Sequence, residues 1–408
     1  MNCLQTQNKT YDCIIIGGGI SGISFAGKLA QLGKNVLILE KEKQPGGQIQ
    51  THSIVSHPGF WVELGAHTCY NSYTHLLSAI LEAGLKDRIL SLDKCRYVLS
   101  TEKGIKSIFS QVSCFSLMIR GFKLFFSAKK NKSVKEYFRP ILGSKNYDQL
   151  FSKMFRAVIC QQADEYPAEF FLKKRKGRFN EMPRKLSFDK GLSSIINGII
   201  TQHKLSVCTN TEVTTITRND DGYQIQASNG DIWHTRHIAI ATNPNVASQL
   251  LKDLEPEISR LFASIPLSYS ETLNVIVEKE KLDLQPVAGI ISITDKFMSA
   301  VSRDVIAHPH LRSFSFHFLK GEKSQDEQLA LICDTLNIQK EDILSHTSTT
   351  HILPSPHKEH VTIISQTDAL RKDNALFLLG NYYYGLSLED CVHRSNDEFE
   401  RYKTVTVK

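Results

Sequence analysis

Three glycines near the start of the chain have the spacing of a diphosphate-binding turn. Gly17, Gly19 and Gly22 satisfy G-x-G-x-x-G directly after an apolar run and at the opening of a predicted helix. The first glycine permits a tight turn, the second lets the backbone approach a pyrophosphate, and the third allows close packing of helix and strand. Ile20 and Ser21 lie in the first helical turn, whose free N–H groups attract anions. The pattern predicts a dinucleotide site.

An acidic residue follows at the distance that such a site requires. Glu40 stands eighteen residues after Gly22, where its carboxylate can accept hydrogen bonds from the adenosine ribose hydroxyls. A 2′-phosphate would be repelled there, which argues against NADP. The stretch from Tyr11 to Glu40 is therefore predicted to form strand, helix and strand, with Gly33 ending the helix.

The continuation resembles the second glycine pair of the FAD-dependent amine oxidase and protoporphyrinogen oxidase-like flavoproteins. It reads Glu-Lys-Glu-Lys-Gln-Pro-Gly-Gly-Gln over residues 40–48. Many members carry arginine after the paired glycines, and Gln48 removes a cation that could stand near the diphosphate. Residues 48–51, Gln-Ile-Gln-Thr, look like the protoporphyrinogen oxidase-like variant. The resemblance implies FAD, bound with contacts from Lys41, Gly46, Gly47 and Gln48.

Two other short segments resemble flavin-contacting parts of the same family. Glu-Leu-Gly-Ala-His at residues 63–67 resembles the glycine-alanine turn close to the flavin, and Val213 resembles the valine whose backbone contacts adenine. The resemblance assigns Gly65, Ala66, His67 and Val213 to the cofactor site. His67 is also a candidate catalytic residue, because an unperturbed histidine titrates near neutrality. The alternative is a histidine that is only hydrogen-bonded beside the cofactor.

The C-terminal segment 375–391 resembles the protoporphyrinogen oxidase ending. A predicted buried strand delivers Gly380 and Asn381, and a helix is predicted to start near Ser387 and Leu388. Ser387 fits a capping box with Asp390, three residues later. A helix N-terminus beneath the flavin pyrimidine would stabilise the negative charge that develops at N1–C2=O on reduction.

Aromatic and sulfur side chains lie close to these segments in sequence. Tyr382 and Tyr384 are candidate catalytic residues that would line the substrate pocket, with simple aromatic packing as the alternative. Cys69 and Cys391 could be considered for a covalent flavin link. Buried structural thiols are commoner, so noncovalent FAD is expected.

The elements that must position these residues predict an α/β protein. We expect a Rossmann-type FAD-binding domain with an interleaved substrate domain of mixed β-sheet plus helices. The FAD-binding domain is expected to be discontinuous, and the substrate-binding, largely helical region to fill the gaps. The expected bounds are 1–75, 187–254 and 361–408 for the first and 76–186 and 255–360 for the second.

Alternating and apolar runs predict two further groups of strands. The first group, at 212–216, 223–227 and 237–241, is expected to form a second β-rich insertion. The second group, at 273–277, 288–294 and 313–318, is expected to form a separate sheet. Because Ser-Phe-Ser-Phe-His-Phe alternates polar with apolar residues, one face of that sheet is expected to be exposed.

Composition limits the classes of function. The chain has 408 residues, a net charge of +7 and nine cysteines without a C-x-x-C pair, which argues against a disulfide framework or a zinc site. No metal is expected, since His308-Pro309-His310 lacks nearby carboxylate or cysteine ligands. The N-terminus lacks a basic n-region and a long apolar run, so a cytoplasmic protein is expected, without nucleic acid as a partner.

Two basic segments could favour a membrane surface. Phe115, Met118, Ile119, Phe122 and Phe126 give residues 106–132 a basic amphipathic helical pattern, which predicts either peripheral membrane contact or packing on the protein's own core. A second cluster, residues 173–178, reads Lys-Lys-Arg-Lys-Gly-Arg and is expected to form a solvated loop.

These features predict an FAD-dependent oxidoreductase that dehydrogenates a hydrophobic small molecule, as protoporphyrinogen oxidase does. No second G-x-G-x-x-G follows a strand, so dioxygen or a quinone is the expected electron acceptor. The chain is rather short for a protoporphyrinogen oxidase. An amine oxidase or a desaturase or other biosynthetic tailoring oxidase is the alternative within the enzymes, and a non-catalytic flavin-binding redox sensor is the alternative outside them.

Overall fold

The computed structural model describes residues 10–113, 117, 118, 120 and 127–406. Within them the strands are β1 Tyr11–Ile16, β2 Val36–Leu39, β3 Thr51–Ser53, β4 Trp61–Glu63, β5 Cys69–Tyr70, β6 Ile89–Ser91, β7 Arg96–Thr101, β8 Gly104–Ser107, β9 Lys185–Phe188, β10 Ser206–Cys208, β11 Val213–Asn219, β12 Gly222–Ala227, β13 Ile232–Ile240, β14 Leu267–Glu278, β15 Val287–Ser292, β16 Ser299–Ser302, β17 Leu311–Leu319, β18 Ile343–Pro354 and β19 Leu376–Leu378.

The helices in the same residues are α1 Ile20–Gln31, α2 Thr74–Glu82, α3 Val134–Leu142, α4 Ser152–Ile159, α5 Ser193–Gln202, α6 Pro244–Leu251, α7 Pro256–Ala263, α8 Gln325–Leu336, α9 His360–Leu370 and α10 Leu388–Thr406. A helical turn at Ser144–Asn146 and a π-helical turn at Tyr147–Phe151 lead into α4. No helix in the described part of the chain is long and apolar enough to span a membrane.

The first large sheet has a parallel core built on the N-terminal strand. β10, β2, β1, β13 and β19 run parallel, with β1 between β2 and β13. β13 is long enough to serve two neighbours, because its first half pairs with β12 and its last three residues pair with β19. The four residues of β2 and nearly all of β1 are buried, as a parallel strand covered on both faces requires. The predicted Rossmann-type α/β fold is confirmed.

The prediction that the strands at 212–216, 223–227 and 237–241 form their own β-rich insertion is wrong. β11, β12 and β13 do not form a separate β-rich insertion, because β13 pairs in parallel with β1 and carries β12 and β11 into the same sheet. The error arose because the antiparallel hairpin of β11 and β12 gives a local signal, whereas the pairing of β13 with β1 joins residues more than 200 positions apart.

The second large sheet is separate, as predicted, and has the order β18-β14-β17-β16-β15-β7-β8. The expected exposed face is wrong, since eight of the nine residues of β17 are buried. Their apolar side chains pack with α8, and the polar side chains face the β3–β4 hairpin, where Ser315 Oγ donates to Glu63 O at 2.8 Å. The alternation of polar and apolar residues in β17 therefore indicates a polar face that the β3–β4 hairpin covers.

The region from 76 to 186 is less helical than expected. It contributes β7 and β8 to the second large sheet and β6 to a small sheet with β5 and β9. Of the amphipathic pattern in residues 106–132, Phe115, Ile119, Phe122 and Phe126 lie outside the described residues, and the side chain of Met118 is 75% exposed.

Candidate cofactor and substrate site

The glycine turn between β1 and α1 leaves no room for larger side chains at two positions. Gly17 has φ +107°, and a Cβ there would lie 2.7 Å from the Ala241 carbonyl oxygen at the end of β13. A Cβ on Gly22 would lie 2.2 Å from Gly17 O. These contacts hold the turn against the carboxyl ends of the parallel strands, which is the edge where doubly wound sheets bind ligands.

The N-terminus of α1 is open to an anion. Its N-cap is Gly19, which offers no capping side chain, and the first turn, which includes Ile20 and Ser21, carries no acidic residue. The first N–H groups of a helix lack intrahelical acceptors and concentrate positive potential. A Cβ on Gly19 would meet only Gly47 Cα, at 3.9 Å. The protein therefore keeps the space directly over this N-terminus clear of its own side chains.

Glu40 is buried at the end of β2 and is fixed by two backbone donors. The N–H of Gly18 donates to Oε2 at 2.7 Å, and the N–H of Glu42 donates to Oε1 at 2.9 Å. The loop before Val213 packs beside it, because Thr211 N donates to Glu40 O at 2.8 Å. Each carboxylate oxygen keeps a lone pair for a further donor, as recognition of a ribose diol requires.

The second glycine pair lies directly against the first. Gly46 N donates to Gly18 O at 2.9 Å, and Gly47 adopts φ +58°. A Cβ on Gly46, at φ +144°, would lie 2.5 Å from Ile49 O. Lys41, by contrast, extends its side chain into solvent towards Glu42, 3.6 Å away.

The turn after β4 is tied to the residues that follow this glycine pair. Ala66 N donates to Gln48 O at 2.8 Å, and a Cβ on Gly65 would lie 2.2 Å from the same oxygen. His67 Nδ1 lies 3.2 Å from Gly65 O. The segments assigned from the resemblance at 46–48 and 65–67 therefore form one continuous wall.

Two further histidines, which the sequence analysis did not single out, face this turn from the second sheet. His351 Nε2 lies 2.7 Å from Leu64 O, and His317 Nδ1 lies 3.0 Å from Thr272 Oγ1. The rings of His317 and His67 stack with centroids 6.5 Å apart. Burial lowers the pKa of all three histidines, to about 3 for His317, so they are neutral at pH 7.

The same face carries buried polar atoms that have no hydrogen-bond partner among the described residues. They are Nε2 of His317, Nδ1 of His351 and Oγ of Ser299. Ser299 lies directly opposite His317 in the β16–β17 pairing. Because leaving a buried polar atom unpaired is costly, a row of such atoms indicates a surface that binds a polar group from outside the protein.

A cavity opens beside this row, between β4 and the strands β15–β17. It is lined by Glu63, His67, Arg303 and Ser315, together with Lys185 and Tyr97. Burial raises the pKa of Glu63 to about 8, although Leu192 N at 2.7 Å and Thr51 Oγ1 at 2.8 Å donate to its carboxylate. The cavity thus holds a carboxyl group that titrates near neutrality.

The tyrosines of the C-terminal segment lie away from this cavity. Tyr382 and Tyr383 are buried in a core cluster with Phe262 of α7, and Tyr384 donates to Asp397 Oδ2 at 2.7 Å. These contacts favour the packing alternative for Tyr382 and Tyr384. Gly380 precedes them at φ +144°, directly after β19.

The C-terminal helix α10 begins beside the glycine turn. Asp390 N donates to Ser387 Oγ at 3.1 Å, as the predicted cap requires, and Ser395 Oγ donates to Ser21 O at 2.8 Å. Cys391 is buried in the same first turns, and burial raises its thiol pKa to about 12. A thiol that stays protonated is a poor nucleophile, which agrees with noncovalent flavin.

The residues present fit an FAD molecule. The carboxyl ends of β1, β13 and β19 share one edge, so Gly17, Gly380 and Asn381 approach one another there. In such a complex Glu40 would hold a ribose, the open N-terminus of α1 the diphosphate, and the N-terminus of α10, with Ser387 and Leu388, the pyrimidine end. When bound, FAD supplies a two-electron acceptor.

Comparisons with solved structures agree with this fold. A provisionally assigned protoporphyrinogen oxidase from Exiguobacterium sp. 255-15 superposes with a TM-score of 0.77 over 96% of this chain and 98% of its own, at 17% identity. Cyclohexylamine oxidase from Brevibacterium oxydans IH-35A superposes with a TM-score of 0.72 over 98% and 100%, at 15% identity. At these identities the likeness concerns the fold.

Curated relatives match shorter stretches of sequence. Protoporphyrinogen oxidase 1 from the chloroplasts of Arabidopsis thaliana is 30% identical over 169 residues, which cover 37% of this chain and 31% of that protein. (S)-6-hydroxynicotine oxidase from Paenarthrobacter nicotinovorans is 36% identical over 72 residues, covering 18% and 17%. The matched stretches thus span less than a third of the length of these relatives.

A family model decides the assignment, because it matches residues 20–283, well over half of the chain, and is described as flavin containing amine oxidoreductase. The protein belongs to the flavin containing amine oxidoreductase family, and its cofactor is FAD.

Proposed function

We propose that this protein is an FAD-dependent oxidoreductase that dehydrogenates a hydrophobic small molecule, similar to protoporphyrinogen oxidase. The observation that carries the proposal is the wall formed by residues 46–48 and 65–67, with the cavity beside His67 opening between the β3–β4 hairpin and the second large sheet. A dehydrogenase needs its substrate held next to the flavin and shielded from water, and a cavity between two layers provides both.

The assigned cofactor contacts form part of the proposal. Gly17, Gly19, Gly22, Ile20 and Ser21 would hold the diphosphate, and Glu40 and Val213 the adenosine. Lys41, Gly46, Gly47 and Gln48 would follow the diphosphate and ribityl chain, and Gly65, Ala66, His67, Gly380, Asn381, Ser387 and Leu388 the flavin ring. The discontinuous division into FAD-binding and substrate-binding regions, with the bounds given above, belongs to the same proposal.

The charge state of the histidines beside the cavity determines which groups of a substrate they can bind. His67 and His317 are uncharged at pH 7, so they can accept or donate one hydrogen bond each but cannot balance a carboxylate. We propose that His67 orients the substrate and takes part in moving its proton. Glu63, with a pKa raised to about 8, is the nearby group that can exchange that proton at neutral pH.

The decisive test is anaerobic visible absorption of the purified holoprotein, titrated with protoporphyrinogen IX and then with a panel of amines and polyene precursors. Bleaching of the flavin by protoporphyrinogen IX is expected. Bleaching by another compound alone would keep an FAD-dependent oxidoreductase but replace the substrate, and a bound flavin that no compound bleaches would favour the redox-sensor alternative. A His67→Asn variant should bleach more slowly, whereas His234→Asn, at an exposed position on β13, should match the wild type.

The electron acceptor and the cellular location also belong to the proposal. Dioxygen or a quinone would reoxidise the flavin, and the protein would act in the cytoplasm, with peripheral membrane contact as an alternative. Stopped-flow reoxidation with dioxygen and with a soluble quinone separates the acceptors, since the physiological one should react much faster.

A further inference from the structure

Two basic residues of the segment 173–178, which was expected to be a solvated loop, contact the edge of the first large sheet where the cofactor is proposed to bind. Within residues 173–178, Lys174, Lys176 and Arg178 are exposed, whereas Lys173 and Arg175 are partly buried. The interpretation of this cluster as a solvated loop therefore holds for only part of the segment.

Arg175 and Lys173 hold the first turn of α10. Arg175 donates one guanidinium nitrogen to Asp390 Oδ1 at 2.9 Å and another to Ser387 Oγ at 2.9 Å. Lys173 Nζ lies 3.2 Å from the same Asp390 oxygen and also donates to the carbonyl of Tyr384. The side chain of Asp390 is only 4% exposed, so this is a buried ion cluster rather than a surface pair.

The charges in the cluster are well defined. Burial by itself would raise the pKa of Asp390, but the hydrogen bond from Arg175 and the charge of Lys173 hold it below its ordinary value. The neighbouring carboxylate, Glu389, faces the other way and accepts the backbone N–H groups of His75 at 3.1 Å and Leu76 at 2.9 Å. Arg175 and Lys173 thus bring two positive charges to one aspartate.

The cluster lies at the edge that the site above assigns to the flavin. Ser387 and Asp390 form the first turn of α10, and Ser395 of the same helix bonds to Ser21 in the first turn of α1. The segment enters from β19, whose carboxyl end shares the edge of β1.

We propose that Arg175, assisted by Lys173, is a positioning residue that fixes residues 384–390 against the flavin and makes its surroundings more positive. This inference rests on the proposed function. Transfer of two electrons and one proton oxidises the donor and leaves one negative charge on the flavin, so positive charge nearby shifts the equilibrium towards the reduced form. The segment 173–175 thereby links the substrate side of the molecule to the oxidising strength of the cofactor.

The test is an anaerobic redox equilibrium between the holoprotein and a reference dye, with dithionite as the electron source. Arg175→Met should lower the equilibrium constant for flavin reduction about tenfold, the size of one unit charge acting through a partly screened environment. Asp390→Asn should raise it. The double variant should return close to the wild type, because the two charge changes cancel. Arg178→Met, at an exposed position of the same segment, is the matched control and should change nothing.

Other outcomes overturn the inference. If Arg175→Met retains flavin with an equilibrium constant within twofold of the wild type, the cluster does not act on the cofactor. If Arg175→Met loses its flavin, the test uses Arg175→Lys and Asp390→Asn instead. Arg175→Lys keeps the charge, so its equilibrium constant for flavin reduction should stay near that of the wild type. An unchanged equilibrium constant in Asp390→Asn refutes the proposal. A wild-type protein that binds no FAD would instead defeat the proposed function.

Discussion

Glu40 binds two backbone N–H groups with the same two oxygens that we propose for the nucleotide. Each oxygen already accepts one backbone N–H, from Gly18 at 2.7 Å and from Glu42 at 2.9 Å. These bonds fix the carboxylate before any ribose arrives, so little ordering cost remains at binding. The residue is therefore a structural acceptor for the glycine turn and, in the proposed function, also the group that recognises the ribose.

The first prediction concerns this carboxylate. Glu40→Ala should weaken FAD binding by roughly 10- to 100-fold, because it removes a charged hydrogen-bond acceptor for the ribose. Isothermal titration of the apoprotein with FAD measures the change. Glu42→Ala removes a carboxylate that is 69% exposed and is the matched control. Equal FAD affinity for Glu40→Ala and wild type would place the adenosine elsewhere.

The second prediction concerns acid stability. The pKa of His317 is about 3 in the folded protein and about 6.5 when unfolded. Between these values only the unfolded state binds the proton, so stability falls as pH drops below 6.5 and is unaffected above it. From pH 6.5 to 5 this costs about 2 kcal/mol. His317→Gln should show a smaller drop in unfolding midpoint between pH 7.5 and 5 than the wild type.

The control for that measurement is His234→Gln, at an exposed position, which should keep the wild-type difference between the two pH values. If the unfolding midpoint of His317→Gln drops between pH 7.5 and 5 as much as that of the wild type, another buried histidine dominates acid unfolding. His67 and His351, whose pKa values burial also lowers, are the next variants to compare.

At the residue scale, sequence reasoning predicted side chains that carry local patterns. The glycines of both turns and the cap formed by Ser387 follow rules that span a few residues, and the predicted cap is present. His317 and Arg175 carry no such pattern. Their roles depend on pairing and packing between distant segments. The available signals were the alternation of polar residues in β17 and the basic cluster at 173–178, and both predicted exposed surface.

At the scale of single elements, two glycines of the turn between β1 and α1 are present for different reasons. Gly22 is needed by the protein itself, since a Cβ there would lie 2.2 Å from a backbone oxygen. Gly19 is different, because its Cβ would meet only one protein atom, at 3.9 Å, and its φ of −75° suits any residue. We therefore propose that glycine at this position leaves room for the ligand.

The third prediction follows from this difference. Gly19→Ala should leave the unfolding midpoint of the apoprotein close to the wild type but weaken FAD binding at least tenfold, since the methyl group would occupy the space over the helix N-terminus. Gly22→Ala should lower the midpoint of the apoprotein as well. Thermal unfolding and FAD titration on both variants measure the two effects, and normal FAD affinity in Gly19→Ala would contradict the diphosphate position.

Elements with a strong local period were predicted, and those defined by their neighbours were not. β1, α1 and β2 agree with the predicted strand, helix and strand. The short strands β3 to β6 and the long β18, rich in threonine, serine and histidine, were missed. Most of β18 is polar because it is an edge strand with one covered face, which weakens the hydrophobic signal that identifies strands.

At the scale of the whole molecule, the β3–β4 hairpin and the turn after it join the two large sheets. Trp61 O accepts from Arg303 at 2.7 Å, Leu64 O lies 2.7 Å from His351, and Glu63 O accepts from Ser315. Backbone oxygens of the hairpin and its turn thus meet side chains of the second large sheet, while Ala66 N of the turn donates to Gln48 O, directly after the second glycine pair. FAD bound along this hairpin would contact both layers, which couples their stabilities.

The fourth prediction tests that coupling. Removing FAD should lower the thermal midpoint, and adding FAD back should raise it with the logarithm of the FAD concentration, by about 4 kcal/mol of stability at a thousandfold excess over Kd. Differential scanning calorimetry of apoprotein and holoprotein measures this. A single shared transition in the holoprotein with separate transitions in the apoprotein would show the coupling, an FAD-independent midpoint would show that FAD does not bind the folded protein, and Glu40→Ala should require more FAD for the same shift.

The overall arrangement could be predicted only in outline. The second large sheet is separate, as predicted, and the discontinuous cofactor region that the resemblance implies stays a prediction. The contact between the layers could not be predicted, because it relies on buried polar faces such as that of β17, which in isolation read as solvent-exposed.

The long strand β13 has a consequence for biosynthesis. It pairs with β1 from the beginning of the chain and with β19 from its end, and α10 then packs on α1 through Ser395 and Ser21. On the ribosome, the glycine turn emerges within the first seconds, yet its contact with α10 can form only after residue 395 has left the exit tunnel. We therefore expect FAD to be held by its complete site only after this segment has been translated, and a nascent chain stalled before β19 to expose an unfinished sheet edge to chaperones.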